Sequence, residues 1–317
     1  MKYQRKKQLL LDNSAVALIL ILWVLVFLSI IAAEFAFFMR VEVNTTKNFI
    51  DAIKSYYFAQ AAIQRAIAEI YAPNLKYNYI DPHGKLAFVR KDLKTGEEVG
   101  KTAPNRENIK FADGVISYRI EDEESKVNIN KANEKTLKKL LSLIGMEEGV
   151  RKDTIVDSIL DWRDRDHEHR INGAENDYYE NLPNPYKCKD GPFDSIEELL
   201  LVRGVTKEIL YGSSDKERYK GLYKYITIRN KGINKNTASE IVLKACLDEK
   251  SAIIILEKRK ENSGIYSETQ KSYNFTVKAE GKTNSNFKRV IKALISRKVK
   301  GKVAEISIIY WNSNFIK

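Results

Sequence analysis

The sequence predicts an α+β protein in which a long N-terminal helix packs on an antiparallel sheet and an all-helical insertion interrupts the body. An apolar run at residues 15–33 continues without a break into a helical pattern that reaches residue 71. Helical patterns also fill most of the middle of the chain, and alternating strand patterns lie on either side of them. The corresponding segments are a basic leader (1–13), the N-terminal helix (14–71), the first part of the body (72–125), the insertion (126–248) and the second part of the body (249–317).

The N-terminal segment has the pattern of a membrane-spanning helix. Four basic residues (Lys2, Arg5, Lys6 and Lys7) precede a run of 19 residues in which only Ser29 is mildly polar. At about 1.5 Å per residue the run spans roughly 30 Å, the thickness of the hydrocarbon layer. A secretory signal peptide would have a shorter apolar core followed by a small-residue cleavage site and a turn. The basic flank therefore predicts a single span with its N-terminus in the cytoplasm and its body on the other side.

The helical pattern beyond the span is amphipathic, and Pro73 is expected to end it. Residues 72–112 show little pattern apart from weak strand signals at 86–89, and residues 115–120 alternate as a strand does. Near the C-terminus the segments 273–279, 287–295 and 303–310 alternate and are separated by turns. This predicts a three-stranded antiparallel meander.

Two segments of the insertion are alike. VNINKAN at 127–133 and INKNTAS at 233–239 each lead into an apolar helix, and both resemble the start of helix-hairpin-helix units, which contact DNA phosphates through backbone N–H groups and nearby cations. Glu147 and Glu148 in the first hairpin would repel phosphate, and the second hairpin has a single glycine, Gly204. We therefore favour helix packing without nucleic acid. A membrane-anchored helix-hairpin-helix DNA-binding protein of the competence type is the alternative.

A polar loop at 163–192 is the most distinct chemical feature. Five carboxylates lie at its start and around its Asn172-Gly173 turn, and they are candidate ligands for Ca²⁺, which takes about six to eight oxygen ligands. Their spacing matches no EF-hand, so a solvated acidic loop is the alternative. The candidates are Asp161, Asp164, Asp166, Glu175 and Asp177.

No catalytic motif is evident, since the chain has no Gly-x-Ser-x-Gly, phosphate-binding loop or His-Glu-x-x-His. His167 and His169 flank Glu168, so a transition-metal site or a metal-dependent hydrolase is an alternative to two solvated histidines. Cys188 and Cys246 could form one disulfide outside the cytoplasm or remain separate thiols.

The order of several segments resembles one family, the minor pseudopilin K of bacterial type II secretion systems (general secretion pathway protein K). The segments that carry the resemblance are VNIN at 127–130, ILDWRD at 159–164, GAENDYY at 173–179, and the stretch 193–204 with Glu198-Leu199 and Val202-Arg203-Gly204.

The resemblance implies a pilin-like N-terminal helix, a pilin-like body and an inserted α-domain of helix-hairpin-helix or SAM-like type. It implies that prepilin peptidase removes the leader between Asn13 and Ser14, although the family usually has Gly before the cut. Pilin-like subunits commonly carry Glu at the fifth mature position, which here is Leu18, and the K family typically lacks that Glu. The family also binds calcium in its α-domain, which implies that ligands are among the five carboxylates.

The resemblance further implies a non-enzymatic role in the bacterial inner membrane, with the body in the periplasm. The protein would join minor pseudopilins I and J in a tip complex that starts the pseudopilus, together with the major pseudopilin and the inner-membrane assembly platform. A buried Glu without a partner is costly. A subunit that lacks this Glu therefore suits the tip, where no further chain stacks above it.

Overall fold

The computed structural model describes residues 13–72, 74–213, 219–300 and 303–313. Leader residues 1–12 and Pro73 lie outside the described residues, and Asn13 and Ser14 begin the first helix. The predicted α+β architecture is confirmed. The helices are α1 (Asn13–Tyr71), α2 (Glu134–Leu143), α3 (Val150–Arg163), α4 (Asn176–Tyr179), α5 (Lys207–Tyr211), α6 (Glu240–Cys246) and α7 (Glu249–Glu261). The strands are β1 (Leu75–Ile80), β2 (Leu86–Lys91), β3 (Glu98–Val99), β4 (Ile109–Phe111), β5 (Gly114–Asp122), β6 (Val127–Asn128), β7 (Ile226–Thr227), β8 (Asn274–Thr283), β9 (Lys288–Lys300) and β10 (Val303–Asn312).

Helix α1 has two halves with opposite surroundings. Residues 16–50 are exposed, and their apolar composition makes α1 the described helix that is long and apolar enough to cross a membrane. The C-terminal half buries Ala59, Ala62 and Ala66 against the sheet. A Cβ on Gly281 of β8 would overlap the α1 backbone at Ala59, so small residues on both elements allow close contact.

The main sheet has the antiparallel order β10-β9-β8-β5-β4, and the predicted C-terminal meander is confirmed. Alternate residues of β5, β8 and β9 face α1 and form the body core, including Ile116, Phe275 and Ile295.

A second sheet, β1-β2-β3, lies where the sequence predicted mostly irregular chain, and that prediction is wrong for residues 75–80. Leu75 packs into the body core, whereas Tyr77 and Tyr79 belong to a separate small core. Because β1 is buried on both faces, its sequence lacks the alternation that marks a half-exposed strand.

The insertion has its own large core, with Leu140, Ile159 and Trp162 near its centre. This core also includes Ala252 and Ile255 of α7, so it takes in residues beyond position 248. The side chains of Ser239 and Asp248 cap the N-termini of α6 and α7.

Body and insertion meet at a buried polar junction. There β6 pairs with β7 in parallel, and the Asp122 carboxylate at the end of β5 accepts hydrogen bonds from both parts of the chain. Its Oδ2 accepts from Ser272 Oγ at 2.6 Å and Thr237 Oγ1 at 2.5 Å, and its Oδ1 accepts from the Glu124 N–H at 2.9 Å. We call Asp122 and Glu124 the junction cluster.

Candidate metal centre

Helix α3 anchors the polar loop through two carboxylates one turn apart, which a helix places on the same face. Asp161 is fully buried and accepts hydrogen bonds from the backbone N–H groups of Ala174 at 2.9 Å and Arg170 at 3.2 Å. Asp157 accepts from the N–H of Asn172 at 3.2 Å. A Cβ on Gly173 would overlap the Asp161 carboxylate, so only glycine fits at this point of the loop. Asp161 therefore shapes the loop.

Three other carboxylates meet under the loop, and we call Asp164, Glu175 and Asp190 the loop cluster. Glu175 is only 2% exposed, and neither of its carboxylate oxygens has a nitrogen or oxygen donor within hydrogen-bond reach. It precedes α4 in the N-cap position but makes no capping hydrogen bond with its side chain. Asp164 and Asp190 each also have one buried oxygen without a partner. Buried polar atoms in proteins are normally hydrogen-bonded, so these oxygens of Glu175 and Asp190, with that of the nearby Asp164, are candidate ligand atoms for a cation.

The electrostatics of the loop cluster point the same way. Burial raises the pKa of Glu175 to about 7, and the nearby negative charges of Asp161, Asp190 and Asp164 raise it further. The Arg170 guanidinium contacts Asp161 and lies 2.7 Å from Asp164 Oδ2. It does not hydrogen-bond to Glu175 or Asp190 in the described structure. A divalent cation would satisfy the free oxygens and compensate the remaining charge.

The predicted candidates therefore have different positions. Asp164 and Glu175 contribute free oxygens to the loop cluster, and Asp161 lies behind them and holds the loop. Asp166 is exposed and accepts a hydrogen bond from the N–H of Glu168, and Asp177 is exposed on α4. Asp190 is a candidate that the sequence reasoning did not single out, although it lies in the same polar loop and precedes Gly191.

The two cysteines are free thiols, so the structure does not contain the disulfide considered from the sequence. Cys188 is buried next to Glu175, and its N–H donates to Asn176 Oδ1 at 2.8 Å. Cys246 ends α6, and burial raises its pKa to about 11.

The two similar segments of the insertion form the same local structure. Asn128 and Asn234 each accept a hydrogen bond from the N–H two residues later, and Asn133 and Ser239 cap the helices that follow. The second asparagine of each segment holds a distant loop through two hydrogen bonds. The side-chain amide of Asn130 accepts from the backbone N–H of Phe193 and donates to its C=O. The side-chain amide of Asn236 makes the same pair of hydrogen bonds with Ser267.

Lys152, in α3 just after the first hairpin, has no free positive charge to offer to a phosphate. This lysine is 1% exposed, and its ammonium contacts Glu148 and donates to Ser142 Oγ. Its charge is therefore compensated within the hairpin, which agrees with helix packing as the role of this unit.

Known proteins are similar to this chain in sequence and in fold. The family model for type II secretion system protein K matches residues 112–212, which contain the first part of the insertion and the loop cluster. The type II secretion system protein K of Pectobacterium carotovorum subsp. carotovorum is 32% identical over 145 residues, which are 40% of this chain and 41% of that protein. The alignment thus spans less than half of the length of this curated relative.

The fold extends the likeness over most of the molecule. A chain in the crystal structure of the GspK-GspI-GspJ complex from enterotoxigenic Escherichia coli has a TM-score of 0.58 and 15% sequence identity with this protein. The likeness covers 87% of this chain and 100% of that chain. The family match includes the loop cluster, and the shared fold extends the likeness to the body around the insertion. The chain is thus similar to protein K of the type II secretion system in the sequence of residues 112–212 and in its fold.

Proposed function

We propose that this protein is a non-enzymatic minor pseudopilin that forms the pseudopilus tip with subunits I and J and thereby starts assembly of the pseudopilus for protein secretion across the outer membrane. The observation that carries the proposal is the fold shared with a chain of the GspK-GspI-GspJ complex over 87% of this protein. The major pseudopilin and the inner-membrane assembly platform would act on the complex after the tip has formed.

Helix α1 supports this proposal because its two halves suit two different environments. Its first half is apolar and unpacked, as expected for a helix that lies in the inner membrane and later among other subunits. Its second half is fixed to the periplasmic body by the sheet. Leu18 is 68% exposed and has no charge to pair with the amine of a neighbouring chain. A subunit with these properties can end a stack of parallel helices without a buried unpaired carboxylate.

The face of α1 just above the span is the proposed contact with I and J. Ile53 and Tyr57 are 40% and 60% exposed, one turn apart, on the side opposite to the buried alanines. We expect Ile53→Asp with Tyr57→Asp to abolish co-purification of the detergent-solubilised full chain with its I and J subunits, because an apolar contact would then bury charge. The matched control is Leu93→Asp, which adds a charge at an apolar residue outside α1 that is 83% exposed.

Loss of the complex in the double variant alone would support the proposed face. Retention of the complex in both variants would contradict this face, and failure of the wild-type chain to bind I and J would contradict the tip function. Tight, salt-sensitive binding of the full chain to duplex DNA would instead favour the competence-type alternative.

Processing by prepilin peptidase is a separate proposal. The cut between Asn13 and Ser14 would fall at the start of α1 and would remove the basic leader. Mass spectrometry of the protein from its native membrane should then give a chain that begins at Ser14. An intact leader would count against pilin-like processing.

We also propose that the loop cluster binds Ca²⁺ through Asp164, Glu175 and Asp190, with backbone oxygens and water completing the coordination. Four buried oxygens without partners support this ligand set. The bound ion would fasten the long polar loop to α3 and would have a structural role. Calcium should therefore raise the melting temperature of the chelator-treated full chain. The exposed carboxylates provide a control, since Asp166→Asn and Asp177→Asn should leave that increase unchanged.

A further inference from the structure

The two histidines of the polar loop have different surroundings. The chain contains three histidines, and the sequence pairs His167 with His169. In the structure His169 Nδ1 lies 3.0 Å from the Arg170 carbonyl oxygen, so this ring contacts the backbone of its own loop. His167 Nδ1 lies 3.6 Å from Asp190 Oδ2. The loop thus brings one imidazole to the loop cluster and leaves the other at its own backbone.

The arrangement of His167, Glu175 and Asp190 fits a small cation. One ligand atom from each residue lies within 4.8 Å of the others. Ligand bonds of about 2.0–2.1 Å in a tetrahedron place ligand atoms about 3.3 Å apart. The separation of 3.6 Å between His167 and Asp190 is already close to this value. Since His167 is largely exposed, a small rotation of its ring can complete the approach.

The chemistry of the donors selects the class of metal. Ca²⁺ takes oxygen ligands, whereas imidazole nitrogen suits Zn²⁺ and other borderline transition metals. An aspartate, a glutamate and a histidine with one open position form a mixed nitrogen and oxygen site. Glu175 is the independent indication that a ligand is missing, because it is 2% exposed and neither oxygen has a nitrogen or oxygen donor.

We propose that His167, Glu175 and Asp190 form a site for a borderline divalent transition metal ion, represented by Zn²⁺, which competes with Ca²⁺ for the two carboxylates. This proposal rests on the loop cluster being a cation site, as in the calcium part of the proposed function, and is independent of the tip function. His167 would be the residue that distinguishes the two ions, since it ligates Zn²⁺ and is not needed for Ca²⁺.

The experiment uses the full chain in detergent, without a histidine tag and stripped of metal. Zn²⁺ and Ca²⁺ affinities are measured by titration calorimetry at one fixed pH for the wild type, His167→Ala and the matched control His169→Ala. Replacement of a ligand should weaken Zn²⁺ binding by at least 10-fold, the lower end of the loss seen even for outer-shell partners. Ca²⁺ affinity should stay within about 2-fold, since its ligands are oxygens.

Co²⁺ supplies a second readout because its visible absorption depends on its ligands. The wild type and His169→Ala should give the same Co²⁺ spectrum, His167→Ala should change it, and Ca²⁺ should displace the ion from the wild type. The proposal is overturned if the wild type does not bind Zn²⁺, if His167→Ala binds Zn²⁺ as the wild type does, or if both histidine variants lose the same affinity. Zn²⁺ binding without Ca²⁺ binding would leave the transition-metal site standing but contradict the competition and the calcium proposal. Ca²⁺ binding without Zn²⁺ binding would support the calcium proposal and overturn this inference.

Discussion

The junction cluster and the loop cluster are both buried groups of carboxylates, yet their surroundings are opposite. Asp122 is 4% exposed and receives donors from Asn78, Thr237, Ser272 and the Glu124 backbone. Glu175 is 2% exposed and receives none from nitrogen or oxygen. The two carboxylates are thus buried to a similar extent, but they differ in the number of hydrogen bonds that they accept.

This difference separates a structural site from a binding site. A buried carboxylate with a full set of donors holds together the elements that supply those donors, and the donors oppose the rise in pKa that burial causes. A buried carboxylate without donors is costly until a cation or proton arrives. The junction cluster should therefore contribute to stability without any ligand, and the loop cluster should contribute only with one.

The largest expected effect is at the junction. Asp122→Ala would leave the donors of both parts of the chain unsatisfied, and an unsatisfied buried donor costs about 1–3 kcal/mol. Because the remaining groups can partly pair with one another, we expect a loss of about 4 kcal/mol in the free energy of unfolding. Chemical denaturation of the full chain in detergent, with and without calcium, measures this loss. Asp113→Ala is the control, since Asp113 pairs with Lys54 at an exposed position and should have no measurable effect.

The next effect is a pH dependence of stability that arises from the junction cluster. Burial and then the charge of Asp122 raise the pKa of Glu124 from 4.5 to about 8. Since the folded chain keeps this proton where the unfolded chain has lost it, stability should fall as pH rises from about 4.5 to about 8. The slope from this group is at most about 1.4 kcal/mol per pH unit.

Glu124→Gln tests the pH effect because it resembles the protonated side chain. Asn274 contacts the Glu124 carboxylate through its amide, which can reverse to accept from the new NH₂ group. Unfolding measured between pH 5 and 8 should show a flatter dependence in this variant and higher stability than wild type at pH 8. An unchanged slope would mean that another group carries the pH dependence.

A third prediction compares the stability effect of a substitution in the loop cluster with those in the junction cluster. Glu175→Gln removes a charge that no nitrogen or oxygen donor compensates, so without calcium we expect equal or slightly higher stability. At a calcium concentration of 100 times the Kd the wild type should gain about 2.7 kcal/mol, and the variant should gain almost nothing. Melting curves with calcium and with chelator check both parts. Destabilisation by the same amount in both conditions would show that Glu175 is a structural residue.

The sequence predicts the parts of this fold that have one buried face. The C-terminal meander, β5 and α2 show a regular apolar period, because each has one side on a core. Helix α3 differs, since residues 155–162 are buried all round the helix. Strand β1 shows none, since Asn78 in its middle is buried by the polar junction and not by an apolar layer. Helix α7 was missed for a related reason. Only Ala252 and Ile255 of this helix are buried, which is too few for an evident apolar stripe.

The candidate site is predictable only in part. Composition identifies the acidic loop, and Asp164 and Glu175 are found by their charge alone. The distinction between these two and Asp161 depends on backbone N–H groups that the loop turns toward Asp161. Asp190 and His167 are brought together by the path of the loop, over a separation of 23 residues.

The smallest expected effect concerns Arg170, which joins the two kinds of carboxylate within the loop. Its guanidinium contacts buried Asp161 and also holds Asp164 Oδ2, an oxygen that a bound ion would use. Arg170 and calcium should therefore compete for Asp164. We expect Arg170→Met to tighten calcium binding by about 10-fold, which corresponds to about 1.4 kcal/mol. The same change should lower stability in chelator, because Asp161 then keeps a buried charge that only backbone N–H groups oppose. Titration calorimetry and melting in chelator measure the two effects separately.

Two variants serve as controls and should bind calcium much as wild type does: Arg170→Lys, which keeps the charge, and Arg165→Met, which removes an exposed arginine of the same loop. Weaker calcium binding in Arg170→Met would show instead that the guanidinium builds the loop around the ion, and the loop cluster would then depend on protein donors as the junction cluster does.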